Sequence, residues 1–408
     1  MDAITLFTAG LGLEKPWYIN SVDLIDAENG TQQLHIEVDH LPRTKFEYAG
    51  EKYSVYDHQV RTWLHLRFFQ HDCYLHARVP RIKTADGKVK LINVPWSTSG
   101  SSFTLLFELN VLSLLQGGMS ASAAGRYCGI DSRRIFRIMA RHVSTALSSQ
   151  PLATFKELSI DETSRKKGHN YLTICCDSKA KKVVGIGVGK DKEALAHALV
   201  DMEVRGASRK TIKTVTMDMS TAYISGVETF IENADIVFDR FHISKLLNEA
   251  VDKVRREDQR NFREAFRNTR YLWLRKGGDL KEEQQAKLNE LSEAYPNIGK
   301  AYRLKELFRA VFDAAEYNHN LRPLNNWVTE AWDSDLKPIQ GFVNTLRNHW
   351  YGVRTYFKRV ATNAHAENIN LKIQQIKRIA RGYKNVQHFI LMIYFHLGGL
   401  NFGIHYKR

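Results

Sequence analysis

The chain has 408 residues, 43% of them apolar and 11% aromatic, with only 8 prolines; this excludes a largely disordered chain and allows several hydrophobic cores. Lys and Arg number 59 against 44 Asp and Glu, a formal charge of +15 with a pI near 9.5, which makes a polyanion the leading partner. The longest apolar run, Phe389 to Phe395, is too short to span a bilayer, the first residues lack the charged start of a signal peptide, and the cysteines show no CxxC spacing; a reduced, cytoplasmic protein with no membrane partner is expected.

From His35 to Val94, short alternating apolar segments are broken by Gly50 and by Ala85-Asp86-Gly87, the pattern of a small β-rich module. From Phe103 the period is helical as far as Gly117-Gly118, and a second short helix fits Ser120 to Cys128. After a turn at Gly129 to Asp131, Ser132 is placed to cap a third helix. It carries Arg133, Arg134, Arg137 and Arg141 on one side, with Ile135, Ile138 and Met139 behind. This outlines a helix-turn-helix whose arginines meet phosphates or guanine edges. The plain alternative is an amphipathic helix with a solvated basic face.

After Pro151 the period becomes that of strands. Phe155 to Ile160, Tyr171 to Cys176 and Val183 to Val188 read as an antiparallel meander, with turns at Lys167 to Asn170 and Asp177 to Ala180. A helix from Glu193 to Met202, a strand from Ile212 to Met217, a helix from Ser220 to Glu232 and a strand from Ala234 to Phe238 follow. Three antiparallel strands and then alternating helices and strands is the order of an RNase H-like fold. From Phe241 to about Thr362 the pattern is helical, with Lys253, Arg256, Arg260, Arg263 and Arg267 on the outer sides of its first helix. Trp273, Trp327, Trp332 and Trp350 in this insert are expected in its core rather than stacked on bases. The final helix runs from about Ala364 to Arg381 and stops at Gly382. Its buried face is Ile369, Ile373, Ile376 and Ala380, while Glu367, Asn370, Gln374, Lys377 and Arg381 lie on another side, suited to a DNA backbone.

Three carboxylates carry the chemistry. Asp161 closes the first strand of the meander, Asp218 closes the later strand 57 residues on, and Glu367 opens the last helix after a further 149. Phosphoryl transfer on DNA uses two divalent ions, and hard cations take oxygen ligands. A lone Asp at a strand end is usually a turn or cap residue; two in this order followed by a helical Glu are less easily accidental. Asp239 and His242 read either as a helix cap with a hydrogen-bonded His or, as we favour, as the margin of the site.

The stretches ARVPRI, VPWSTSGSSFTLLFE, LSIDETSRKKGHNYLT, VTMDMSTAY, FDRFHISKLLNEAVDKVRR and NAHAENINLKIQQIKRIARGYKN, in this order, resemble the ISL-three family of bacterial insertion-sequence transposases, of the Asp-Asp-Glu superfamily. The resemblance implies a multidomain α/β protein. A zinc-finger-like β module and a helix-turn-helix precede an RNase H-like catalytic core with a helical insertion. It assigns catalysis and metal binding to Asp161, Asp218 and Glu367, with Mg²⁺ as cofactor and Mn²⁺ as a substitute. The family's knuckle cysteines are missing: the corresponding stretches read Phe46 to Gly50 and Pro80 to Thr84. His71, Cys73 and His76 are poor replacements because His76 points away from the strand face of the other two. A structural zinc is therefore not expected.

The expected organisation is a β-rich DNA-binding module, a degenerate zinc finger, over residues 1–100, then a helix-turn-helix over 101–150. The RNase H-like core occupies 151–240 and 363–408, interrupted by the helical insertion at 241–362. The expected function is metal-dependent cleavage and strand transfer of double-stranded DNA, with terminal inverted repeats and target DNA as partners. Joining two ends calls for a homodimer or larger assembly on DNA. The rival readings are a non-catalytic repressor derived from a transposase and an RNase H-like structure-specific nuclease.

Overall fold

Alternation of apolar and polar residues, then helical periodicity, then both together, is what the chain converts into structure. The computed structural model describes residues 2–403 except 29, 153, 167, 169, 319 and 360–363. The turn read at Lys167 to Asn170 includes two undescribed positions, and the boundary read at 362 and 363 also lies outside the described residues. Two units divide the chain: Met1–His142 with Asn401–Arg408, and Val143–Leu400. Among the described residues the strands form two mixed sheets, one in each unit.

In the first unit, α1 (Ala3–Leu11) is followed by β1 (Trp17–Asp26), β2 (Gln32–His40), β3 (Lys45–Tyr48), β4 (Glu51–Phe68), β5 (His71–Lys83) and β6 (Val89–Leu91). The sheet order is β1-β2-β5-β4-β3, with β6 on β5. β2 and β5 run parallel with Leu34, Ile36 and Val38 opposite Cys73, Leu75 and Ala77, all six buried. Trp17, Trp63 and Trp96 close this core edge to face. Then come α2 (Leu105–Gln116), α3 (Ala121–Cys128) and α4 (Ser132–Ser149). Ser120 caps α3 by accepting from the Ala123 N–H at 3.2 Å. The expected cap at Ser132 is corrected: Asp131 Oδ1 accepts from the Arg133 N–H at 2.8 Å, and Ser132 is already helical.

In the second unit, β7 (Glu157–Lys166), β8 (Asn170–Asp177) and β9 (Lys182–Val188) form the antiparallel meander. α5 (Lys192–Val204), β10 (Thr214–Met217), α6 (Thr221–Phe230) and β11 (Asp235–Phe238) follow. The order is β11-β10-β7-β8-β9, with β10 parallel to both β7 and β11. Leu172 to Cys176 on β8 are buried without alternation, as in a strand covered on both faces. Gly187 lets α5 sit against β9, since a Cβ there would lie 1.9 Å from the Ala194 carbonyl oxygen.

The remaining elements are helical: α7 (Arg240–Asn261), α8 (Arg270–Leu274), α9 (Glu282–Ala294), α10 (Pro296–Asn318), α11 (Arg322–Trp332), α12 (Lys337–Asn348), α13 (Trp350–Arg359), α14 (Ala364–Ile379) and α15 (Val386–Leu397). Trp273 and Trp327 are buried in their core, and Trp332 and Trp350 pack against it. α7 ends at Asn261, so Arg263 and Arg267 lie in the turns beyond it and not on the helix. α13 packs on β11, with Gly352 beneath the Phe238 ring.

Candidate active site

The level of the acids is set by strand register. Thr214 lies opposite Glu157 and Thr216 opposite Ser159, so two residues on, Asp218 stands level with Asp161. Met217 lies opposite Phe238, so Asp218 also stands level with Asp239. Neighbours in register on parallel strands point to the same face, and carrying the register on places three aspartates in a row, one within β7 and the others just past the ends of β10 and β11. The expectation that Asp161 closes its strand is corrected. β7 continues to Lys166 and pairs with β8 beyond Asp161, because the polar stretch Glu162 to Lys166 is covered by polar partners.

Those partners come from α14. Asn370 Nδ2 donates to Asp161 Oδ2 at 2.6 Å, Gln374 Nε2 to Thr163 Oγ1 at 2.9 Å, and Lys377 Nζ to the Ser164 carbonyl at 2.7 Å. The spacing i, i+4, i+7 puts the three on one helix face, and Ile369, Ile373 and Ile376 bury the adjoining one. The residues expected along a DNA backbone are therefore placed against β7, apart from Arg381, which follows the helix, exposed and with φ of 55°. Asn370 as a holder of Asp161 was not foreseen; its shared period with Gln374 and Lys377 is the one signal the sequence offers.

Asp161 is half-buried, and burial raises its carboxyl to about 6, with Asp218 and Asp239 adding repulsion and His242 opposing it. Its Oδ1 accepts from the Glu162 N–H at 2.7 Å. Asp218 Oδ1 accepts from the Ser220 N–H at 3.0 Å. Asp239 is buried and caps α7 through the Phe241 N–H at 3.0 Å, with His242 Nε2 3.9 Å from its Oδ2. Glu367 lies exposed in the first turn of α14. Partial loss of solvent around the carboxyl raises it first and Asp239 next, and His242 again opposes. Asp161 thus lies within the fields of Asp218, Asp239 and His242, and Glu367 within those of Asp239 and His242.

Among the described residues no three His, Cys, Asp or Glu side chains come together as a metal-ligating group, so the acids share a level without closing on one point. The donors nevertheless fit a hard divalent cation. All are oxygens, and beside Asp161 the Asn370 Oδ1 is buried with no hydrogen-bond partner. In the first unit His71, Cys73 and His76 do not converge. Cys73 is buried with its thiol pushed up to about 12, His76 bonds His35 and Thr62, and His71 bonds Gln32 and Gln70.

The four α4 arginines have different surroundings. Arg133 pairs with Asp131 at 2.9 Å, and Arg134 donates to Ser102 Oγ at 2.8 Å over the Phe103 ring. Arg137 is exposed. Arg141 bonds the fully buried Glu108 at 2.9 Å. Among the described residues no helix is long and apolar enough to cross a membrane.

A family model described as Transposase matches residues 158–393, more than half of the chain. A transposase for insertion sequence element IS1001 from Bordetella parapertussis is 26% identical over 349 residues, covering 83% of this chain and 85% of the relative. Transposases for insertion sequence element IS1557 from two strains of Mycobacterium tuberculosis are 24% identical over 433 aligned positions, covering 98% of this chain and 96% of the relative. Mixed α/β fold, acid row and relatives together define an insertion-sequence transposase. The chain belongs to the ISL3 (ISL-three) family of DDE, or Asp-Asp-Glu, transposases. Membership implies a DNA partner, and the family typically uses a divalent metal.

Proposed function

We propose that this transposase cuts and joins double-stranded DNA at Asp161, Asp218 and Glu367 on an RNase H-like sheet. The observation that carries the reading is the common level of Asp161 and Asp218 on parallel strands, with α14 bonded to the first of them and bearing Glu367. The three would hold Mg²⁺, with Mn²⁺ as substitute. When bound, such ions activate the attacking oxygen and stabilise the leaving one.

The chain's own residues supply position. Asn370 fixes the orientation of the Asp161 carboxylate, and the Gln374 and Lys377 bonds to β7 hold the helix that carries Glu367. Asp239 and His242 form the margin, where Asp239 anchors α7 and the His242 imidazole lies 3.9 Å from the Asp239 carboxylate. The β-rich unit and the α2-α3-α4 helix-turn-helix find the terminal inverted repeats, and two chains are needed to bring two ends together.

The test is strand cleavage and end joining on labelled DNA carrying an element end in Mg²⁺, beside binding to the same DNA. Asp161→Asn, Asp218→Asn and Glu367→Gln should keep binding and lose both reactions. Asp239→Asn should reduce them less. Near-normal cleavage by Glu367→Gln together with none by Asp239→Asn would make Asp239 the third ligand and sink the assignment.

A further inference from the structure

In the first unit the Gly100 to Phe103 loop and one face of α4 enclose a notch of about 230 Å³, lined by Gly100, Ser101, Ser102, Phe103, Arg134, Arg137 and Arg141. We infer that this notch seats a single phosphodiester of the DNA backbone, so that α4 grips DNA here and does not read bases with these arginines. It rests on the DNA-binding role proposed above for this unit.

Charge and hydrogen-bond polarity both point to an acceptor-only anion. Arg134, Arg137 and Arg141 are spaced i, i+3, i+7, so their guanidinium groups leave one face. No carboxylate lines the notch. The nearby Glu108 is fully buried, and its oxygens are occupied by Ser101 Oγ at 2.6 Å, Arg141 Nη2 at 2.9 Å and His142 Nε2 at 2.7 Å. One buried anion thus stands against three arginines, and the Arg141 Nε is buried with no acceptor. That donor is what an incoming anionic oxygen would satisfy.

Two of the arginines are already set. Arg134 is held by Ser102 Oγ and by the Phe103 ring, 4.3 Å from its guanidinium carbon; because Ser102 Oγ accepts that bond, its own proton remains to donate. Arg141 is held by Glu108. Side chains fixed beforehand lose little rotamer freedom on binding. They are also drawn back against their own loop, whereas base reading requires a guanidinium extended into the groove. Arg137 alone is exposed at the rim.

The experiment measures binding of the full-length protein to a duplex carrying the element end and to a scrambled duplex. Each is also made with single neutral methylphosphonate linkages along both strands. Neutralising the gripped phosphate should weaken the native protein about tenfold, and its salt slope should fall by about 0.9 when that contact is lost. In Arg137→Ala, which changes an exposed residue and leaves Arg134 and Arg141 in place, the same linkage should cost clearly less than it costs the native protein. Arg137→Lys should restore the dependence, since a phosphate accepts a point charge where a bidentate base contact does not. If Arg137→Ala lost preference for the element end but kept the methylphosphonate profile, α4 would be reading bases and the notch would be wrong. If Arg134→Gln combined with Arg137→Ala bound both duplexes like the native protein, with the same salt slope, the DNA-binding role of this face would fall as well.

Discussion

Removing the charge from Asp161 should stabilise the metal-free protein at neutral pH. The folded chain holds this carboxyl at about 6 against an ordinary value of 3.8, chiefly through burial. A carboxyl raised on folding binds its proton more tightly in the native state. Stability is therefore lost as pH climbs from about 3.8 to about 6 and stays lost above that. At 1.36 kcal/mol per pH unit the penalty at pH 7.5 is about 3 kcal/mol, and residual solvent contact reduces it to roughly half. Asp161→Asn removes it. The new amide can still accept from the Glu162 N–H, and rotation of the Asn370 amide would bring its partnerless Oδ1 to face the new donor. Thermal unfolding in chelator should then show the variant higher by about 3–6 °C at pH 7.5 and level with the native chain near pH 4. Adding Mg²⁺ should raise the native midpoint and leave the variant unmoved, because only the native site gains from ligand binding. A variant no more stable than the native chain at pH 7.5 would refute the reasoning, since it would mean that the folded site bears no ionisation penalty for a cation to relieve.

Further outcomes follow from neighbouring contacts. A Cβ at Gly352 would lie 2.4 Å from the Phe238 ring, so Gly352→Ala should cost about 1–3 kcal/mol in urea denaturation and, by shifting the residue before Asp239, slow cleavage. Gly341, within α12, has nothing within 4 Å of an added Cβ, and Gly341→Ala should stabilise by about 1 kcal/mol; equal effects at the two glycines would contradict the packing of α13 on β11. Asn370→Ala removes the donor to Asp161, a bond to a charged group worth about 1.5–3 kcal/mol. The acid limb of the cleavage pH profile should move up by about 1–2 pH units, and an unmoved limb would mean that Asn370 does not hold the carboxylate.

Much of the fold could be read in advance where burial leaves continuous apolar runs. The meander, α5, β10, α6 and β11 appear within a few residues of their apolar runs, and Ser120 announces α3. Polar pairing hid the rest. Glu162 to Lys166 looks like a loop because its partners are Asn370, Gln374 and Lys377, more than two hundred residues on. β1 escaped notice because Asp23 and Asp26 interrupt its alternation, although it pairs along its length with β2. The apolar run Phe389 to Phe395 lies within α15, where Phe389 and Met392 to Phe395 are buried. At the site, the acids could be named from the chain, but the equivalence of their levels depends on which strands pair, and spacing alone does not contain that information. Asp239 consequently gains prominence only once β11 is seen beside β10.

The delivery of one acid by α14 also imposes an order in time. Glu367 lies 128 residues after Asp239, the last of the row (367 − 239), an interval of about 6–26 s at roughly 5–20 residues synthesised per second. Throughout it, a growing chain owns the aspartate row but neither the glutamate nor the polar face that steadies Asp161 from above. Chains released within that interval carry the whole of residues 1–142 and every strand of the acid row, yet under the assignment proposed above they lack the third metal ligand. On that assignment, a ribosome that falters in this interval leaves behind blanks, not loose nucleases.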